Sequence, residues 1–253
     1  MAPKRLYRVR YHTALTAALA VALMIFSGCD NSTGNTKDTD PVVPLTLGDT
    51  HSGQYNLGPV DWRESQWHNS CAPYPASIQT AEGDLLAGLA LGWNGNGQMC
   101  DACVLITTAK GKSVLARVVT TGATQGLNDI DLSPSAYGAL NQNEYPRDMT
   151  WQIAKCPATG NFAYQFQTGA NIWWTSLWVR NVRLPIARVE VKSANHPDWS
   201  ALKRANDGTY TDASGFGDGA FTLRVTAIDG QEVTDAIPSL QPGKLIPSQG
   251  QFQ

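Results

Sequence analysis

The 253-residue sequence predicts an all-β protein organised as two units of about 100 residues each. Three observations lead there. Charged residues make up only 16% of the chain while Gly, Pro and Trp are plentiful, a balance that favours short strands and turns over helical bundles. Short runs alternate apolar with small or polar residues, as Phe162, Tyr164 and Phe166 do, which is the period of a strand with one buried face. Turn signals separate these runs, and the Asp229-Gly230 pair is a strong hairpin signal.

The N-terminus stands apart. Lys4, Arg5, Arg8 and Arg10 lead into the apolar run Ala14 to Phe26, which is short for a membrane span and reads as a secretory signal. It ends Phe26-Ser27-Gly28-Cys29, which resembles a bacterial lipoprotein cleavage site with Cys29 as the lipidated residue; ordinary cleavage is the alternative. Residues 1–29 are therefore expected to be a signal, and the polar, proline-containing residues 30–48 a tether. Nineteen Lys and Arg less those four leave fifteen against twenty-one Asp and Glu, a formal charge of −6. Such an acidic body argues against nucleic acid as a partner and is a poor match to acidic polymers. Expected localisation is exported, either anchored to the envelope by lipid alone or secreted.

Residues 49–157 form the first expected unit. Strand candidates are Gly53–Leu57, Leu86–Leu91, Val104–Thr108, Ser113–Val119 and Thr150–Ala154. One short helix is signalled, with Ser133 as its cap, Pro134 at its first position and an end at Asn141. Pattern alone gives a small β-barrel or sandwich. Cys71, Cys100, Cys103 and Cys156 make an even set in an exported chain, so two disulfides are expected, with three connectivities available. Cys71–Cys100 with Cys103–Cys156 is favoured, because Cys103 opens one strand run and Cys156 closes another. A redox bond within Cys100-Asp101-Ala102-Cys103 and a four-Cys zinc site are the alternatives. His12, His51, His68 and His196 are scattered without ligand spacing, so no metal is expected.

Residues 158–253 form the second unit, with strand runs at Phe162–Thr168, Trp174–Val179, Arg188–Lys192, Phe221–Ile228 and Glu232–Thr234. It reads as an antiparallel sandwich. Trp173 and Trp174 are adjacent, so a regular strand would send them to opposite faces. Either one is a core ring beside an edge ring, or the pair offers flat surfaces for stacking on sugars. Trp178 lies on the same strand face as Trp174 about 13 Å along it. It extends such a surface or is itself a core residue.

The ordered motifs Asp129-Ile130-Asp131-Leu132-Ser133-Pro134, Gly160-Asn161-Phe162, Trp173-Trp174 and Val179-Arg180-Asn181 make the chain resemble the bacterial expansins from about His51 to Leu240. The resemblance implies a six-stranded double-psi β-barrel followed by an immunoglobulin-like antiparallel β-sandwich that binds cellulose. It implies a barrel groove with Asp131 as its acidic residue; the alternative is that Asp131 only orders the loop before the helix. Other groove positions depart from the family: Asn56 stands for a Thr, Thr120 for a second Asp and Gly122 for a Tyr. On the sandwich, Trp173 and Trp174 match two platform aromatics. The third falls at Asp207 or Gly208, leaving Tyr210 as the nearest substitute, and a family Lys is Gln167.

Hydrolysis of a glycosidic bond normally needs two carboxylates. Asp129 is too near Asp131 along the chain to face it across a substrate, and Asp101 reads as a solvated loop charge. The expectation is therefore a non-hydrolytic, monomeric protein that binds cellulose or a related β-glucan and loosens polysaccharide contacts, without cofactors. Two alternatives stand beside it: a binding module with a vestigial groove, and a lytic enzyme acting on peptidoglycan.

Overall fold

The computed structural model describes residues 46–58, 70–71, 83–122, 126–141, 143 and 145–253. The expected signal, Cys29 and most of the tether lie outside these residues, as do His12 and His68.

The barrel begins with β1 (Thr46–Leu57), β2 (Leu86–Leu89), the single helical turn α1 (Leu91–Asn94), β3 (Cys103–Thr108) and β4 (Ser113–Thr121). It continues through β5 (Ile130–Leu132), helix α2 (Pro134–Leu140) and β6 (Asp148–Ala154). The six strands close in the order β1-β5-β2-β4-β3-β6, with β1/β5 and β2/β4 parallel and the other pairs antiparallel. Tyr55, Leu89, Val104, Ile106, Val118, Ile130, Leu132 and Trp151 fill the interior. Helix α2 starts where the sequence placed it: Ser133 Oγ accepts from Ala136 N at 3.3 Å, and Pro134 needs no hydrogen-bond partner at the first position. β1 starts inside the expected tether, because Thr46 and Leu47 pair with Ala154 and Ile153 of β6.

Two sheets follow. β7 (Ala163–Phe166), β8 (Thr175–Arg180), β11 (Lys203–Arg204), β12 (Tyr210–Asp212) and β15 (Leu245–Pro247) form one, in the order β11-β12-β8-β7-β15. β9 (Ile186–Lys192), β10 (Ser200–Ala201), β13 (Phe221–Ala227) and β14 (Glu232–Ile237) form the other, in the order β10-β9-β13-β14. Phe162, Tyr164, Phe166, Leu177 and Val179 meet Val189, Val191, Leu223, Val225 and Ile237 in one core between the sheets, the arrangement of an antiparallel sandwich. Tyr164 is held within that core by its hydroxyl, which donates to Asp235 Oδ2 at 2.7 Å.

The disulfides are Cys71–Cys100 and Cys103–Cys156, the favoured pairing. The barrel and sandwich lie within one compact unit, Val43–Gln253. Their seam is polar and buried. Arg180, wholly inaccessible on β8, donates to Asp101 Oδ2 at 2.7 Å. It also reaches the Cys71 carbonyl at 3.4 Å and Gln165 Oε1 at 2.9 Å. Asp101 adopts a φ of 67°, a left-handed conformation that Asp tolerates better than most residues. Its expected role as a solvated loop charge is corrected: it is buried and paired, since a charge sealed from water needs an opposite charge beside it.

Candidate functional site

Sheet register gathers the predicted groove residues into one row across four strands. Asn56 of β1 pairs with Asp131 of β5, Asp131 with Gly88 of β2, and Gly88 with Thr120 of β4. Paired residues project from the same face of a sheet. The flanking Tyr55, Ile130, Leu132, Ala87 and Leu89 fill the core, so the row faces outward. Thr120 joins it through a register shift: Ala87 pairs with Val118 but Gly88 with Thr120, skipping Val119. Such a bulge re-aims the residues beyond it. Gly122 lies against the row, with a hypothetical Cβ only 2.8 Å from Asp131 Oδ2 and 2.9 Å from the Gly88 carbonyl.

Neighbouring side chains fix the row at both ends. Arg147 Nη2 donates to Asn56 Oδ1 at 3.3 Å, Nη1 donates to Tyr137 Oη at 3.1 Å, and the guanidinium lies over the Tyr137 ring. Engaging the Asn56 carbonyl leaves that residue its amide N–H2 to offer a ligand. At the other end Thr120 Oγ1 accepts from Ser70 N at 3.1 Å, and Ser70 Oγ accepts from Thr121 N at 2.7 Å. Asp129 has a different task. Its Oδ1 accepts from Gln54 N and its Oδ2 from Gly126 N, both at 2.8 Å, so it ties the loop before β5 to β1.

The second surface is the outer face of β8. Thr175, Leu177 and Val179 point into the sandwich, and Ser176 and Trp178 point away from it. Trp178 is thus an outer-face residue, and the reading as an inner core ring is corrected. Its Nε1 donates to the Asp207 carbonyl at 3.1 Å, and the Arg180 guanidinium sits 5.0 Å from its ring centroid. Trp173 precedes the strand in a turn and is 72% exposed. Asn171 Oδ1 accepts from the backbone N–H of Trp173 (2.9 Å) and of Trp174 (3.1 Å), which frees the two rings from strict strand alternation.

Tyr210 is not on this surface. It pairs with Leu177, so it points inward with Leu177 and belongs to the sandwich core. Arg204 Nε donates to its hydroxyl at 3.1 Å. Burial pushes its pKa up to about 12, with Arg204 opposing the shift. Gly208 gives no ring either: a Cβ there would lie 2.7 Å from the Cys100 Cβ. Asp207 is spent on the turn, its Oδ1 accepting from Thr209 N and Oγ1. Gln167 is half-buried, with its backbone N–H donating to the Ser176 carbonyl at 2.9 Å.

His51 lies between the Trp93 and Trp151 rings, 4.4 and 4.5 Å away, and His196 pairs with Asp212. Among the described residues no cluster of His, Cys, Asp or Glu could hold a metal ion. None of their helices is long and apolar enough to cross a membrane. Sequence reasoning missed Arg147, Ser70 and the pairing role of Arg180. Each acts on a residue more than 45 positions away, and no local pattern marks such a contact.

No family model matches the chain. It is 31% identical over 112 residues to Expansin-YoaJ of Bacillus subtilis, covering 44% of this chain and 47% of that protein. It is 29% identical over 164 residues to Expansin-like protein 3 of Dictyostelium discoideum, covering 62% and 48%. The matches thus span about half the length of these two relatives. Among solved structures, the apo expansin of Clavibacter michiganensis superposes with a TM-score of 0.69 at 22% identity, covering 81% of this chain and 98% of that one. A point mutant of the same protein, solved in complex with cellohexaose, superposes at 0.68. At that identity the likeness speaks for the fold.

Proposed function

This chain is a homologue of the expansins with their fold, and from that premise we propose that it is an exported, non-hydrolytic protein that binds cellulose or a related β-glucan. Trp173, Trp174 and Trp178 anchor it by stacking on sugar rings. The row Asn56–Asp131–Gly88–Thr120 grips a glycan chain and weakens its hydrogen bonds to neighbours. Cys29 is the lipidation site, and the protein acts as a monomer without cofactors.

The observation that carries this reading is the run of three indoles along β8 and its leading turn, with Trp173 exposed and Trp178 on the strand's outer face. Flat rings held on a rigid strand give large contact area at little entropic cost. The cellohexaose bound by the Clavibacter protein lends the ligand class its support. The row itself offers one carboxylate, Asp131, while Asp129 has both oxygens engaged by backbone N–H groups. Among the described residues the row thus supplies one carboxylate, where glycosidic cleavage normally uses a pair. With no fuel, binding energy supplies all the work, and only the part realised as chains separate contributes.

A second reading is favoured by Gly122 and Thr120, which leave the row with a bare floor: a binding module whose groove has lost its grip. Pull-down on crystalline cellulose and on peptidoglycan, with released reducing sugar assayed, tests the proposal. Retention on cellulose that is lost in Trp173→Ala/Trp174→Ala, without sugar release, supports it. Retention on peptidoglycan alone, or sugar release from either polymer, overturns it. The binding-module reading instead predicts that a Asp131→Asn variant matches the wild type in weakening cellulose sheets under load.

A further inference from the structure

Trp173 is the most exposed tryptophan described, and its ring cannot be held by the packing that fixes a core side chain. Its position is set by its backbone, and that backbone rests on a mount built from two loops. Gly215, at φ +68°, packs directly beneath it: a Cβ there would lie 2.3 Å from the Ile172 carbonyl oxygen and 2.5 Å from the Trp173 carbonyl carbon. Gly217 N donates to the Ile172 carbonyl at 3.0 Å, and Phe216 N to Thr175 Oγ1 at 3.3 Å. Residues 215–217 are therefore the seat of the Trp173 turn.

Asp212 fixes that seat from both sides. It ends β12 opposite Thr175, the residue that opens β8. Its Oδ1 accepts from Ser214 N (2.9 Å) and Ser214 Oγ (2.7 Å), closing the turn that delivers Gly215. Its Oδ2 meets His196 Nε2 and so ties in the second loop. Asn195, next to His196, donates through Nδ2 to the Ser214 carbonyl (3.1 Å) and the Gly215 carbonyl (3.0 Å). One carboxylate thus holds the seat directly and, through His196, also holds the loop that clamps it.

We propose that Asp212 is a positioning residue for sugar stacking by Trp173, with His196 as its second arm. The inference rests on the stacking role given to Trp173 above. Loss of the carboxylate releases Ser214 and His196, lets the Gly215 seat shift, and leaves the ring sampling orientations that do not match a sugar face. Stacking contact falls off steeply with such misalignment.

The test is a double-mutant cycle on the full chain, read as affinity for insoluble cellulose. Asp212→Ala is expected to weaken binding about fivefold in the wild-type background and by less than about 1.5-fold in Trp173→Ala. Asp212→Asn keeps one acceptor oxygen, whose two lone pairs can still take Ser214 N and Oγ, and recovers most of the loss; His196→Gln, which spares the Ser214 turn, gives an intermediate loss. An equal effect of Asp212→Ala in both backgrounds overturns the proposal, since a general structural role adds rather than couples. If Asp212→Ala proves unfolded in a thermal melt, the His196→Gln cycle decides in its place by the same criterion. If Trp173→Ala alone binds like wild type, the stacking reading has failed and Asp212 has nothing to position. If Trp173→Ala weakens binding while Asp212→Ala and His196→Gln do not, only the present inference has failed.

Discussion

Asp131 on the barrel and Trp173 on the sandwich are held by opposite means. Asp131 takes its place from the pairing of four strands, and its neighbours Asn56, Gly88 and Thr120 come from segments far apart in sequence. Trp173 takes its place from one turn, organised by Asn171 two residues away, and from the Gly215 seat packed beneath that turn. The row is consequently a cooperative object in which one altered position changes the shape offered by the others. The aromatic face rests on none of the row's four strands, so it survives change in the row. The positions expected to depart from the expansin pattern, Asn56, Thr120 and Gly122, fall in the row or against it, while the expected tryptophan pair lies away from it. On the proposed function, anchoring and gripping are separable by mutation.

The sharpest way to break the comparison is at the seam. Asp101→Ala leaves Arg180 buried without its carboxylate, and losing one partner of a buried pair costs about 3–5 kcal/mol. Thermal or denaturant unfolding should show this as a large drop in stability. If the drop is within about 0.5 kcal/mol, the range of an ordinary surface substitution, the two surfaces are not locked through this pair. Next in size is Trp173→Ala/Trp174→Ala, expected to weaken cellulose binding by about 2 kcal/mol, roughly thirtyfold, with the melting temperature unchanged within a few degrees. A matching fall in melting temperature would mean that the rings support the fold rather than only a binding surface.

Placing a tyrosine at Gly122, where the resemblance expects one, probes the row. A Cβ at this position already meets Asp131 Oδ2 and the Gly88 carbonyl, so Gly122→Tyr is expected to destabilise by about 1–3 kcal/mol as overpacking does, and not to improve binding. Better binding at unchanged stability would show that the row adapts as freely as the aromatic face. The smallest effect is alkaline. Tyr210 is raised to about 12 by burial, and Tyr164 is raised further by burial and by Asp235. Unfolded tyrosine ionises near pH 10, so above it the native state holds more protons and stability falls as pH rises. Between pH 10 and 11 Tyr210 alone should cost roughly 1 kcal/mol; Tyr210→Phe should remove that part of the slope, and an unchanged slope would place the titration elsewhere.

Most longer strands were legible in the sequence because alternation is a local signal: Phe162, Tyr164 and Phe166 need only their own spacing to declare a buried face. Helix α2 was legible for the same reason, its cap and first proline being adjacent. The disulfide pairing followed from where two strand runs begin and end. The short strands β5, β10, β11, β12 and β15 were not seen. Two or three residues carry no period, and such strands exist only because a partner supplies their hydrogen bonds.

The sequence by itself determined that this is an all-β, disulfide-stapled chain resembling the expansins, with a tryptophan pair placed where a strand begins. Those properties are written in residue type and short-range spacing. Only the tertiary structure decided that Tyr210 turns inward, because its direction is inherited from Leu177 across the sheet. It also decided that Asp101 is a buried partner of Arg180, that Arg147 engages Asn56, and that Asp212 supports the seat of Trp173. Each depends on the register or packing of segments distant along the chain, a quantity that no window of sequence contains.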